Sequence, residues 1–202
     1  MTAIYDLLTE VTSRGNLPSE WYDKMVHKVP DAPSLDRADY LIKAARGKSI
    51  LDFGGTGPMA DKLREVAADY RSLDKLPSDK AWHYQIDLDT MTDPPLNTSY
   101  AELIIAGEVI EHLSNPGNFL DVIARYALPV ILTTPNATAR IYDPARKAEI
   151  VNGEHVAWYS YHTLKTLVER HGFRVLAWFW YNGKAYTAEG LIFHMEPING
   201  TS

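Results

Sequence analysis

The chain has 202 residues, 46% apolar and 23% charged, which is the composition of a globular domain long enough to bury a core and argues against disorder. A formal charge of -6 gives no general attraction to polyanions, so nucleic acid is not expected as a partner without a local basic patch. With no cysteine, disulfides, thiolate nucleophiles and cysteine metal sites are excluded.

The opening MTAIYDLLTE lacks the basic-then-apolar order of a secretory signal, and no apolar run is long enough to cross a bilayer, so a cytoplasmic location is expected. Ile4, Leu7, Leu8 and Val11 recur at helical spacing and predict a short first helix. RGNLPS breaks it, and an irregular arm carrying Trp21 and Tyr22 follows. Leu35, Ala38, Leu41, Ile42 and Ala45 predict a second helix ending near Gly47. We therefore divide the chain into an N-terminal helical arm over residues 1–47 and a main domain over 48–202.

A strand–helix alternation starts at residue 49. SILDF reads as a strand, MADKLREVAADY as a helix, and RSLD, WHYQID and AELIIAGEV as strands. NPGNFLDVIARYA reads as a helix with Asn115 as N-cap and Pro116 in its first position, and PVILTT as a strand. After a loop, Ser160 caps a helix bearing Leu164, Leu167, Val168 and His171, with Gly172 as its stop. FRVLAWFWY and GLIFHME flank an Asn-Gly turn and predict an antiparallel pair. The sum is an α/β fold of the Rossmann-like kind: seven strands, mainly parallel, the last antiparallel, with helices on both faces.

The chemistry gathers around ILDFGGTGPMADKL. In a doubly wound sheet, ligands bind at the carboxyl ends of the strands, and glycines after the first strand let backbone and ligand approach closely. Gly55-x-Gly57-x-x-Ala60 satisfies a relaxed dinucleotide fingerprint, which leaves an NAD(P)-dependent oxidoreductase open. The acids favour a different ligand. Asp52, Asp74, Asp87 and Glu108 each close a different predicted strand; they would repel a pyrophosphate and attract the cationic sulfonium and amino group of S-adenosylmethionine.

From Ile50 to about Tyr181 the chain resembles the class I S-adenosylmethionine-dependent methyltransferases, in the group marked by LDFGGTG, GEVIEHLSNPGNFL, TTPNA, EHVAWYS and TLKTLVERHGF. The resemblance implies that Asp52, Gly54, Gly55 and Gly57 hold the methionine end of the cofactor and that Asp74 takes the ribose hydroxyls. It places Asp87 and the backbone of Leu88 at the adenine, with Gly107 and Glu108 as the far wall. Two departures stand out. The usual Gly-x-Gly-x-Gly is compressed to Gly-Gly-Thr-Gly, and the Pro-Gly-Gly turn before the fifth strand is missing from RYALPVIL.

His112, beside Glu111, and His155 are the candidate acid–base groups, because histidine titrates near neutrality. Glu108-x-x-Glu111-His112 with His155 also resembles the metal-ligand pattern of RNA 3'-terminal 2'-O-methyltransferases. The main reading assigns no metal and takes O-methylation of a small-molecule or glycan-type acceptor as the reaction. The acceptor wall is expected from Trp21, Tyr22 and the long loop after the fifth strand. Arg140, Arg146 and Lys147 in that loop suit an anionic group, and Trp158, Tyr159 and Tyr161 suit a planar ring. Asn136 either meets a hydroxyl or shapes its turn. The LAWFWY strand is the natural surface for a homodimer if exposed.

Overall fold

The computed structural model describes residues 31–97, 101–137, 154–183 and 188–198. The first predicted helix, Trp21, Tyr22, Arg140, Arg146 and Lys147 lie outside these residues. The described strands are β1 (Ser34–Leu35), β2 (Ser49–Phe53), β3 (Asp69–Asp74), β4 (His83–Gln85), β5 (Leu103–Gly107), β6 (Val130–Pro135), β7 (Phe173–Tyr181) and β8 (Gly190–Pro197). The helices are α1 (Arg37–Ala45), α2 (Gly57–Val66), α3 (Pro116–Ala124) and α4 (Tyr161–Arg170).

All eight strands form one sheet in the order β1-β7-β8-β6-β5-β2-β3-β4. Only β8 runs antiparallel to its neighbours, β6 and β7. The expected seven strands are present with the expected antiparallel end; the eighth is β1, two residues long, paired parallel to Trp180 and Tyr181. Residues 34–45, which we grouped with the arm, thus supply an edge strand and a helix to the unit that begins at Ala32.

The chain leaves β2 outward to β3 and β4, then returns to β5 on the other side of β2, so the strand order reverses between β2 and β5. Because α2 and α3 link strands that advance in opposite directions, right-handed crossovers put them on opposite faces. The packing agrees. Leu41 and Ala45 of α1 and Ala60 and Leu63 of α2 cluster with Ile50, Leu103, Ile105 and Ile131. On the other face Phe53, Ala106, Leu132 and Phe193 are successive register partners. There Phe119 of α3 meets Phe53 edge-on at 5.6 Å, and Tyr161 of α4 lies 5.8 Å from Phe193.

Helix ends follow local chemistry. Asn115 accepts a bond from the Asn118 amide, and Ser160 with Thr163 forms a reciprocal capping box. Helix α2 is shorter than predicted. Ala60, Leu63, Ala67 and Tyr70 keep helical spacing, yet the helix stops at Val66, where Ala67 turns extended and Ala68 N–H bonds to Lys48 O. Tyr70 therefore lies in β3, not on a helix, and its side chain crosses to β2. β4 covers only His83–Gln85 of the predicted WHYQID.

Candidate active site

Four consecutive buried positions, Ile50–Phe53, carry β2 to its tip, where Asp52 is 4% exposed and Phe53 fully buried. Asp52 Oδ2 accepts a short hydrogen bond from the hydroxyl of Tyr70. Burial foremost, and Asp74 nearby, push the Asp52 carboxyl up to about 7, against the opposing pull of Tyr70 and Arg37. Burial and then the Asp52 charge push the Tyr70 hydroxyl well above its ordinary range.

The structure separates the roles of the three glycines. Gly54 and Gly57 sit at φ +78° and +72°, the left-handed region the turn needs, and a Cβ at Gly54 would also fall 2.1 Å from Val109 Cγ2. Gly55 is needed for space: a Cβ there would fall 2.6 Å from Asp52 Oδ2 and 2.7 Å from the Tyr70 hydroxyl. The turn opens directly into α2, with Pro58 in its first turn.

Asp74 ends β3 on the far side of this turn, its Oδ1 accepting the Leu76 amide at 2.7 Å. His83 holds the segment behind it, with Nε2 donating to Leu76 O and Nδ1 accepting from Ser72 Oγ, both at 2.8 Å, when the ring is neutral. Asp87 and Leu88 follow β4. The Asp87 side chain is exposed, whereas Leu88 is buried.

Across the strand reversal, Gly107 ends β5 and Glu108 follows with φ +57°, uncommon for a residue with a side chain. Three groups hold it. Its carboxylate accepts from Thr133 Oγ1 at 2.9 Å and from the Tyr181 hydroxyl at 3.0 Å, and pairs with Arg37 at 3.4 Å. Tyr181 fits because the position facing it is Gly190, where a Cβ would lie 2.1 Å from the phenol ring. Arg37, at the start of α1, also helps hold Asp52 and Glu111 towards ionisation.

The short 3-10 turn Ile110–His112 presents Glu111 and His112. Glu111 is 1% exposed; Oε2 accepts from Thr134 Oγ1 at 3.0 Å, while Oε1 has no hydrogen-bond partner among the described residues. Burial, then the Glu108 charge, push this carboxyl up to about 8. His112 Nδ1 donates to Glu154 O at 3.0 Å, leaving Nε2 as an acceptor 4.0 Å from Glu111 Oε1 in the neutral ring. His155 is brought in because Val156 and Ala157 N–H both bond to Glu111 O; its ring lies 4.6 Å from that of His112.

The predicted residues thus fall into two groups on either side of the strand reversal: Asp52, the glycines, Asp74, Asp87 and Leu88 on one, Gly107, Glu108, Glu111, His112 and His155 on the other. Tyr159 and Tyr161, expected to stack on an acceptor, are buried instead; Trp158 is 48% exposed. Asn136 is buried, with its amide donating to Ala188 O. Sequence reasoning missed Tyr70, Thr133, Thr134 and Tyr181, whose polar ends meet the site through sheet register, and Arg37, which reaches it from the start of α1. A cavity of about 270 Å³ borders Gly55, Thr56 and Gly57, and one of about 620 Å³ lies off the site at the β3–β4 edge.

The profile of a family described as a methyltransferase domain matches residues 25–177. The chain belongs to this family. It is an enzyme that uses S-adenosylmethionine, which decides between the two cofactor classes that the glycine turn left open. Solved structures share the fold. The partner of the Trm112 methyltransferase activator from Haloferax volcanii is 14% identical with a TM-score of 0.62, over 82% of this chain and 90% of that one. The N-methyltransferase NodS of Bradyrhizobium japonicum, solved with S-adenosylhomocysteine, is 14% identical with a TM-score of 0.56, over 80% and 85%. The mitomycin 7-O-methyltransferase MmcR is 14% identical with a TM-score of 0.57, over 79% and 53%. No curated protein matches the chain. Among the described residues, no helix is long and apolar enough to cross a membrane.

The site fits this cofactor on its own geometry. The bare Cα of Gly55 leaves room for the Asp52–Tyr70 pair beside the turn, and the carboxylates Asp52, Asp74 and Asp87 at or just beyond the ends of β2, β3 and β4 have the chemistry to meet a cation and ribose hydroxyls.

Proposed function

We propose that the enzyme methylates a hydroxyl oxygen of a small-molecule or sugar-type acceptor. The observation that carries this reading is the placement of a proton acceptor, His112 Nε2, beside the carboxyl end of β5, across the strand reversal from the glycine turn. Bound S-adenosylmethionine supplies a methyl group on a sulfonium that already leaves readily. The protein's own task is to align the acceptor, exclude water and remove a proton.

In this reading Asp52, Gly54, Gly55 and Gly57 hold the methionine end, and Asp74 takes the ribose hydroxyls. Asp87 and the Leu88 backbone meet the adenine. Gly107 and Glu108 form the far wall, chiefly through backbone, since the Glu108 carboxylate is engaged by Arg37, Thr133 and Tyr181. An alcohol must lose its proton, and His112 Nε2 receives it while Nδ1 stays anchored on Glu154 O. His155 and Glu111 Oε1 orient the hydroxyl.

Calorimetry tests the cofactor half. S-adenosylmethionine and S-adenosylhomocysteine should bind with micromolar affinity, and Asp74→Ala should abolish or greatly weaken both. Comparable affinity of the wild type for NADH overturns the assignment.

A second reading is favoured by one observation: Glu111, His112 and His155 each offer a ligand atom, all within 4.8 Å of one another. Two imidazoles and a carboxylate suit a divalent ion that would grip vicinal hydroxyls, as at an RNA 3' end. Here Mn²⁺ should bind the wild type with micromolar affinity in a paramagnetic titration, and His155→Ala should lose it. A wild type that leaves Mn²⁺ free removes this reading and keeps the first.

A further inference from the structure

We infer that Asp89 is a positioning residue for the adenine wall of the cofactor pocket, latching it to the loop that carries Glu111 and His112. The inference rests on the proposed placement of adenine at Asp87 and Leu88, and its geometry comes from a residue to which no role has been given. Asp89 bonds in two directions. Its amide donates to Asp87 Oδ1 at 3.1 Å, which turns that carboxylate back on its own loop. Its own Oδ1 accepts two amides from the loop after β5, Ser114 N at 2.7 Å and Asn115 N at 3.2 Å.

These amides precede α3, where Asn115 is the N-cap, and Ser114 lies two positions beyond His112. A carboxylate accepting paired amides there meets donors that have no partner within the helix. One side chain therefore joins the segment after β4 to the segment after β5. Two further bonds run the same way: Asn118 Nδ2 to Met91 O at 2.7 Å, and Arg125 to Thr92 O at 3.0 Å. Between them Leu88 and Met91 are buried, so the loop has apolar anchors as well.

β4 is only three residues long and its connection to β5 contains no helix among the described residues, so pairing within the sheet does little to fix residues 87–91. Asp89 supplies that fixation at the point where a planar base would have to be gripped. The latch needs an oxygen that accepts two N–H bonds. It does not need a negative charge, so asparagine can replace it and alanine cannot.

The test is calorimetry on the full chain with S-adenosylhomocysteine and with S-inosylhomocysteine, which differs only in the base. The wild type should prefer the adenine form. Asp89→Ala should weaken S-adenosylhomocysteine roughly tenfold and flatten the preference between bases, because the two amide bonds it removes are together worth about a factor of ten. Asp89→Asn should stay within about threefold of wild type. Should Asp89→Ala not fold, Asn118→Ala, which removes the neighbouring tie to Met91 O, should move affinity and base preference in the same direction. Unchanged affinity in Asp89→Ala, equal loss of both nucleosides, or an Asp89→Asn as weak as the alanine variant overturns the inference. A wild type that binds neither nucleoside overturns instead the functional reading beneath it, and that is seen before any variant is made.

Discussion

At the tip of β2, Asp52 accepts the Tyr70 hydroxyl and is almost wholly buried, with Asp74 and Arg37 nearby and its carboxyl pushed up to about 7 mainly by burial. Near neutral pH the group is poised between a neutral acid and a carboxylate, and an arriving ammonium favours the carboxylate. The Tyr70 bond favours it too, so removing that hydroxyl raises the carboxyl further. Tyr70→Phe should therefore weaken S-adenosylhomocysteine binding most at and below about pH 7, and the loss should fade only as pH rises past the variant's higher pKa, where Asp52 is ionised in both proteins. The readout is the pH profile of the dissociation constant, whose midpoint should move to higher pH in the variant. A uniform loss at every pH would assign Tyr70 a purely structural part.

The elements show what the sequence could and could not reveal. Strand and helix identity was legible wherever hydrophobic period and caps agreed: Asn115 with Pro116 opens α3, Ser160 opens α4, and Gly172, at φ +77°, stops it. The acids at strand ends were legible for the same reason, since a strand's end is a local property. Two features misled. The spacing of Ala60, Leu63, Ala67 and Tyr70 imitates a helix, and only pairing of β3 with β2, Ile50 opposite Tyr70, pulls the last of them into the sheet. Leu35 matched a helical face yet belongs to β1, because Asp36 caps the helix one residue later. What was not legible is who touches whom across elements. Arg37 reaches Glu108 over 71 positions of chain, and Asp89 reaches Ser114 over 25; no local pattern records either.

For the molecule as a whole, two acids sit buried in or beside the site with raised pKa values, Asp52 about 7 and Glu111 about 8, from ordinary values of 3.8 and 4.5. Between these limits the folded chain holds protons that the unfolded chain has released. Stability from both groups is thus fully present below about pH 4 and lost as pH rises through about 7 and 8. His194 acts the other way: burial lowers its pKa, so it adds stability above the unfolded value near 6.5 and withdraws it below. Two deeply buried acids outweigh one half-buried imidazole. The formal charge of -6 adds to the trend, because self-repulsion grows as pH moves up from the pI near 5.6. The thermal midpoint should therefore be higher at about pH 6 than at about pH 8.5, and Asp52→Asn, which cannot titrate, should narrow that gap. If Asp52 holds the methionine end as proposed, bound S-adenosylhomocysteine should narrow it as well, since its ammonium beside Asp52 stabilises the ionised form, with release of a proton on binding near pH 6. Calorimetry in two buffers of different ionisation enthalpy measures that proton. A midpoint that rises with pH, or a binding enthalpy indifferent to buffer, would mean that Asp52 is already ionised in the free enzyme.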